Sequence, residues 1–200
     1  MQRIPYESFL PRLQENTKDK HWDDIVEAIK PAPEGPWIVG GSVRRLIDAM
    51  PQTSDVDIGL ASLEQLDQTK NRLLQSGFTI TRKTAEYTEL SGKIGKKDTK
   101  VQLLRVMLAP TPEGIIDEFD FTICQFAFDG KDIVCGQFSL YDLARKRLVL
   151  HRLSFGASTI RRMTKYGRQG YTFCQGTIVS ILEEIAKKPE LIRADMQYVD

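Results

Sequence analysis

The chain has 200 residues, of which 41% are hydrophobic and 28% charged, enough to bury the core of one globular domain or of a compact domain with a small appendage. Its 28 Lys and Arg against 27 Asp and Glu leave a net charge of +1, which excludes a global pull toward nucleic acid or membrane and restricts any polyanion site to a local patch. Cys124, Cys135 and Cys174 match no disulfide framework and no paired zinc motif, so they read as reduced thiols. The start, Met1 to Glu7, lacks the apolar stretch of a signal peptide, and no apolar run reaches the roughly 20 residues of a membrane span. A soluble cytoplasmic protein with no membrane partner is expected.

From Tyr6 to Lys30, the residues Phe9, Leu13, Trp22, Ile25, Val26 and Ile29 recur at helical spacings around a polar stretch, Glu15 to Lys20, and predict two short helices. Pro31 to Pro36 breaks the pattern and reads as a linker. Trp37 to Val39 predicts a strand ending at Gly40 and Gly41. Ser42 then reads as the N-cap of a helix with Val43, Leu46, Ile47 and Met50 on one face, stopped by Pro51. Asp55 to Leu60 predicts a strand, and Leu63 to Gln75 a helix with Leu63, Leu66, Leu73 and Leu74 inward and Gly77 as its stop.

Strands are predicted over Phe78 to Arg82, Glu86 to Leu90 and Lys100 to Met107, and a break over Pro110 to Glu113. Phe119 to Phe128 reads as one long strand, turned by Asp129-Gly130 into Ile133 and Val134. Helices around Ser158 to Tyr166 and from Thr177 to Lys188 close the chain. This order predicts an α/β (α+β) fold, a mixed β-sheet flanked by helices with a C-terminal helical segment. The expected division is an N-terminal helical segment over 1–35, a core over 36–152 and a helical cap over 153–200.

Chemistry concentrates in three segments. Gly40-Gly41-Ser42 lies at a strand-to-helix junction, where glycines allow close approach and the first helical amides favour an anion such as a triphosphate; it also serves simply as a helix start. In Asp55-Val56-Asp57-Ile58, residues two apart share a strand face, so the two carboxylates project together while Val56 and Ile58 enter the core. Paired carboxylates suit Mg²⁺ or Mn²⁺, ions that clamp the attacking and leaving oxygens of a phosphoryl displacement, although an isolated Asp-X-Asp also fits a solvated strand end. In Asp120-Phe121-Thr122-Ile123, alternation puts Asp120, Thr122 and Cys124 on one face and makes Asp120 the candidate third carboxylate, with Asp117, Glu86 and Glu89 as alternatives and an Arg partner or a strand cap as its other reading.

The run Val39-Gly40-Gly41-Ser42-Val43-Arg44-Arg45, followed by Ser54-Asp55-Val56-Asp57-Ile58, resembles the signature of the DNA polymerase β-like nucleotidyltransferases. It is most similar to the head domain of tRNA CCA-adding enzymes and bacterial poly(A) polymerases, with Gly-Gly-X-Val-Arg-Asp and then Asp-Ile-Asp. Asp120-Phe121-Thr122-Ile123 resembles that family's Arg-Arg-Asp-Phe-Thr-Ile-Asn-Ala strand. The sequence departs at Arg45, which replaces an Asp, at Glu118-Phe119, which replace two arginines, and at Cys124, which replaces an Asn. The motif that selects CTP or ATP is not evident.

The resemblance implies transfer of a nucleotidyl group from an NTP to an acceptor hydroxyl, with an RNA 3′ end, tRNA included, as the favoured acceptor. It implies that Asp55, Asp57 and Asp120 are catalytic and hold the Mg²⁺ or Mn²⁺, and that Gly40, Gly41, Ser42 and Arg44 bind the nucleotide. Arg161, Lys165 and Arg168 share one face of a basic helix and are either further nucleotide-binding residues or a solvated surface. His21 and His151 have no metal-ligand spacing and read as structural. Two rivals remain: a stand-alone toxin- or resistance-type transferase that modifies protein, tRNA or a small molecule, and a catalytically silent module that binds nucleotide or RNA.

Overall fold

A computed structural model describes residues 1–9, 21–53 and 55–193. The predicted positions at Leu13, along Glu15 to Lys20 and at Ser54 lie outside the described residues. The described residues fall into two compact units, one within 1–117 and 125–137 and the other within 118–124 and 138–193.

The first unit is built on an eight-stranded mixed sheet. Its strands are β1 (Gln2–Pro5), β2 (Trp37–Val39), β3 (Val56–Leu60), β4 (Thr79–Lys83), β5 (Tyr87–Ile94), β6 (Lys97–Leu108), β7 (Phe126–Phe128) and β8 (Asp132–Cys135). They are ordered β1-β8-β7-β2-β3-β6-β5-β4, and only the β3–β6 pair is parallel. Its helices are α1 (His21–Ile29), α2 (Gly41–Ile47), α3 (Leu63–Gln75) and α4 (Pro112–Asp117). The α/β class and the mixed sheet read from the sequence are therefore correct.

Alternation works as expected along β3, where Val56 and Ile58 are buried. α3 begins and ends at the expected residues, with the Ser62 hydroxyl accepting the Gln65 amide at 3.2 Å as N-cap. Its inward stripe, however, is Leu66, Thr69 and Leu73, while Leu63 and Leu74 are exposed. A stripe at i, i+3 and i+7 is narrower than four leucines imply. Met50 is also exposed, because α2 ends at Ile47 and the chain has already turned.

Three further expectations are corrected. Residues 2–9 are not helical at a 3.6 period: they form edge strand β1, which pairs with β8, and a single 3-10 turn, Tyr6–Phe9. Arg3 of β1 donates to Asp129 at 2.8 Å and Glu113 at 2.7 Å, long-range partners that a local pattern cannot reveal. The β5–β6 hairpin runs well past the predicted strand ends and turns at Gly95 and Lys96, with Ile94 opposite Lys97; its polar end residues carry no apolar signal. The predicted break over Pro110 to Glu113 is shorter than expected, because α4 begins at Pro112 and buries Ile115 and Ile116.

The long strand over Phe119 to Phe128 does not exist as one element. Phe121 bridges Leu150 in the second unit, Thr122–Cys124 is a 3-10 turn, and only Phe126–Phe128 joins the sheet. The apolar run reports burial in two cores, and in a 3-10 turn the side chains no longer alternate between two faces. The hairpin after it is correct: Asp129 accepts the Lys131 and Asp132 amides at 3.0 and 2.7 Å and closes β7 onto β8.

The second unit contains α5 (Ser139–Ala144), α6 (Gly156–Arg168), α7 (Gln175–Lys187) and α8 (Glu190–Arg193), which bears out the C-terminal helical segment. No helix among the described residues is long and apolar enough to cross a membrane. Cys124 and Cys135 are buried, Cys174 is exposed, and no disulfide joins them.

Candidate functional site

The sheet register brings the first two motifs together. Asp57 sits opposite Val39 of β2 on one side and opposite Gln102 of β6 on the other. Because Val39 leads directly into Gly40, the start of α2 lies at the strand end that carries Asp57. Gly40 is the residue before the first turn of α2, with φ of 66°, a conformation that favours glycine, and no side chain caps the helix. The opening amides of a helix lack intrahelical acceptors, so they are donors available to an anion.

Ser42 is therefore in the first turn rather than at the N-cap. It is fully buried, with its hydroxyl 3.5 Å from the Asp55 carbonyl, and Gln52 donates to the Ser42 carbonyl at 3.0 Å. These contacts fasten the Gly-Gly-Ser turn to the segment that enters β3. Arg44 is buried within α2.

Asp55 and Asp57 are both partly exposed, Asp55 just ahead of β3 and Asp57 within it. Beside them on the same face, a polar chain crosses four strands. Gln102 donates from Nε2 to Asp55 Oδ2 at 2.8 Å and to Glu89 Oε2 at 3.2 Å. Thr81 donates to Glu89 Oε1 at 2.8 Å, and Lys100 lies 3.8 Å from that oxygen. A lone Asp-X-Asp gives no hint of Gln102, because only the parallel β3–β6 register makes the two neighbours.

The donor set fits a hard divalent cation. Mg²⁺ characteristically takes one or two carboxylates and completes its shell with water and substrate phosphates. Among the described residues no three His, Cys, Asp or Glu side chains converge as a group that could hold a metal ion.

The third motif belongs to the second unit, together with the basic helix. Asp120 is buried and accepts from the Phe121 amide at 3.0 Å, Thr159 at 3.1 Å and Arg162 Nε at 2.6 Å. Burial works against the charge of Arg162, but the Asp120 carboxylate, with Cys124 and Tyr166 nearby, outweighs it and holds the guanidinium above its ordinary pKa. Arg161, Lys165 and Arg168 are exposed on α6. His21, read as structural, is buried beside the Thr99 hydroxyl at 3.3 Å.

Comparison with known structures supports the architecture. The fold is similar to that of a Thermotoga maritima CCA-adding enzyme complexed with tRNA (TM-score 0.62, 19% identity, 97% of this chain and 48% of that one). A CCA-adding enzyme with CTP gives a TM-score of 0.65 at 18% identity over 97% of this chain and 49% of that one. The Bacillus stearothermophilus CCA-adding enzyme with CTP gives 0.58 at 18% over 88% and 45%. The chain thus has the polymerase β-like nucleotidyltransferase fold, and it spans about half the length of these structures.

In sequence it is 26% identical over 166 residues to Gabija anti-defense 2 of Bacillus phage SPbetaL7, an alignment covering 80% of this chain and 39% of that protein. The sequence model of the Gabija anti-defense 2 family matches residues 7–146, more than half of the chain. The chain belongs to the Gabija anti-defense 2 family.

Proposed function

We propose that this chain is a metal-dependent nucleotidyltransferase and that its activity serves a phage in evading a bacterial defence. The observation that carries the reading is the register of β2 and β3, which sets the uncapped start of α2 beside the Asp55 and Asp57 carboxylates. An anion-binding helix start and a carboxylate pair in one place suit a triphosphate bound with a divalent cation.

In this reading Asp55 and Asp57 hold Mg²⁺ or Mn²⁺, and Gly40 and Gly41 let the α2 amides approach the β and γ phosphates. Ser42 and Arg44, both buried, shape that turn. When bound, the cation neutralises charge developing on the pyrophosphate. The acceptor hydroxyl oxygen forms a bond to the α phosphorus, the bond from that phosphorus to the pyrophosphate oxygen breaks, and the hydroxyl proton leaves to water or a carboxylate. The contacts of Asp120 support an anchoring role for it, so the metal set rests on Asp55 and Asp57. Arg161, Lys165 and Arg168 form an exposed cationic face suited to NTP or a polyanionic acceptor.

Two acceptors follow from two observations. The CCA-like fold supports an RNA 3′ end, and membership of the anti-defense family favours a transferase that modifies a host protein, tRNA or small molecule. Each α-labelled NTP is incubated with Mg²⁺ or Mn²⁺ and either total RNA or host protein extract. Label on RNA supports the first acceptor and label on protein or a small molecule the second. No transfer to any fraction, with NTP bound equally well in excess EDTA, refutes the enzyme reading in favour of a silent binding module.

A further inference from the structure

We propose that Glu89 is a positioning residue for the metal site, acting through Gln102 on Asp55; the inference rests on the metal-dependent reading above. Glu89 lies in β5, two strands from β3, and its side chain is 10% exposed. A carboxylate so enclosed requires hydrogen-bond partners, and its two oxygens divide them. Oε1 takes the Thr81 hydroxyl, and Oε2 takes the Gln102 amide. Thr81 is itself the additional residue where the β4–β5 register shifts between Ile80 and Arg82, and such bulges re-aim a side chain. Glu89 is thereby held from behind and presents one oxygen to Gln102.

That oxygen decides how Gln102 faces Asp55. A primary amide carries two N–H donors on one atom and an acceptor on the other. Gln102 stands between two carboxylates and contacts both through Nε2. The reverse orientation would set its carbonyl oxygen against carboxylate oxygens. Glu89 therefore locks the amide with its donors inward, and one N–H fixes Oδ2 of Asp55. Outer partners that orient a ligand carboxylate typically change metal affinity or activity about 10- to 100-fold when removed.

The test measures Mn²⁺ affinity of the full chain by the loss of the free-ion electron paramagnetic resonance signal, for wild type, Glu89→Gln, Glu89→Asp, Gln102→Leu, the double variant Glu89→Gln/Gln102→Leu, and Asp57→Asn. Melting curves of the metal-free proteins confirm that each is folded. Glu89→Gln and Gln102→Leu are each expected to weaken Mn²⁺ about 10-fold, and the double variant no more than either single, since both break the same bridge. Glu89→Asp keeps the charge but shortens the side chain by one carbon, and it should behave as Glu89→Gln does.

Wild-type affinity in Glu89→Gln, multiplying losses in the double variant, or full affinity in Glu89→Asp would each overturn the bridge, the last two by showing that Glu89 acts only as a charge. A wild-type chain that binds no Mn²⁺, or an Asp57→Asn variant that binds it unchanged, would instead overturn the metal reading underneath. A weakened Asp57→Asn beside an unaffected Glu89→Gln overturns the positioning role alone.

Discussion

Asp120→Ala tests whether the third carboxylate holds a helix or performs chemistry. The substitution removes the acceptor for three donors at once: the Phe121 amide, the fully buried Thr159 hydroxyl and the Arg162 guanidinium. Breaking a buried ion pair from one side costs about 3–5 kcal/mol. The Arg162 side chain is 36% exposed, so water screens part of that loss and about 2 kcal/mol is the fitting share for it. An unsatisfied buried hydroxyl adds about 1 kcal/mol. At about 2–4 °C per kcal/mol for a chain of this size, Tm should fall by roughly 10 °C in scanning calorimetry. Arg162→Met should fall comparably, and Asp120→Leu with Arg162→Met should recover much of the loss, since an apolar pair leaves no stranded charge. An Asp120→Ala protein that melts as wild type while losing transfer activity would refute the anchoring account and return Asp120 to the catalytic set.

Asp57→Asn keeps the size of the side chain and removes a charge that a hard cation requires. Labelled-NTP transfer should drop about 10³-fold, the scale of losing one preorganised electrostatic group, while the metal-free Tm stays level or rises; full activity, or inactivity explained by unfolding, would sink Asp57 as a ligand. Burial pushes the Cys135 thiol from 9.0 up to about 11. Between these values the unfolded chain has lost a proton that the folded chain keeps, so stability falls as pH rises, by about 2 to 3 kcal/mol once the folded pKa is passed. Urea unfolding at pH 8 and pH 11 should show this decrement in wild type, and Cys135→Ala should lack it; equal pH dependence in both would refute the assignment. Arg161→Ala with Arg168→Ala should weaken NTP or acceptor binding in a filter assay while shifting Tm by less than about 2 °C, since exposed charges contribute little to stability. Unchanged binding would mark the face as mere surface.

Legibility in the sequence followed the range of the interactions. β3 and α3 were readable because alternation and a 3.6-residue stripe report burial locally, and the period of two set Asp57 on the face opposite the buried Val56 and Ile58. The α2 turn was located, yet its cap moved from Ser42 to Gly40 because a positive φ is invisible until the backbone is traced. Gln102 and Glu89 lie 47 and 34 residues from Asp55. Their chain depends on one parallel register and one antiparallel register, which no local pattern encodes. β1 was missed because its side chains are mostly exposed and its partner β8 is distant in sequence.

The third motif shows why similar residues need not share a task. Where the CCA-adding pattern has arginines, Glu118 forms an ion pair with Arg152, and where it has an Asn, the Cys124 sulfur lies 3.1 Å from the Tyr166 hydroxyl. Tyr166 packs edge-on against both Phe121 and Tyr171, and Thr122 donates to the buried Asp142 at 2.8 Å. Each polar departure in residues 118–124 thus meets a complementary group from 138–171 within its own unit. An exposed pair such as Glu118 with Arg152 adds little energy, whereas Asp120 with Arg162 and Thr122 with Asp142 are enclosed and fix geometry. The Asp-Phe-Thr-Ile letters give this small helical unit a buried acceptor, an apolar residue, a hydroxyl and a second apolar residue, in that order. By contrast, the carboxylates at Asp55 and Asp57 stand partly exposed at a strand end beside an uncapped helix. A need for packing accounts for the first arrangement; the second is accounted for by the proposed binding of a triphosphate with its cation. That contrast is the physical reason to seek the chemistry at β3.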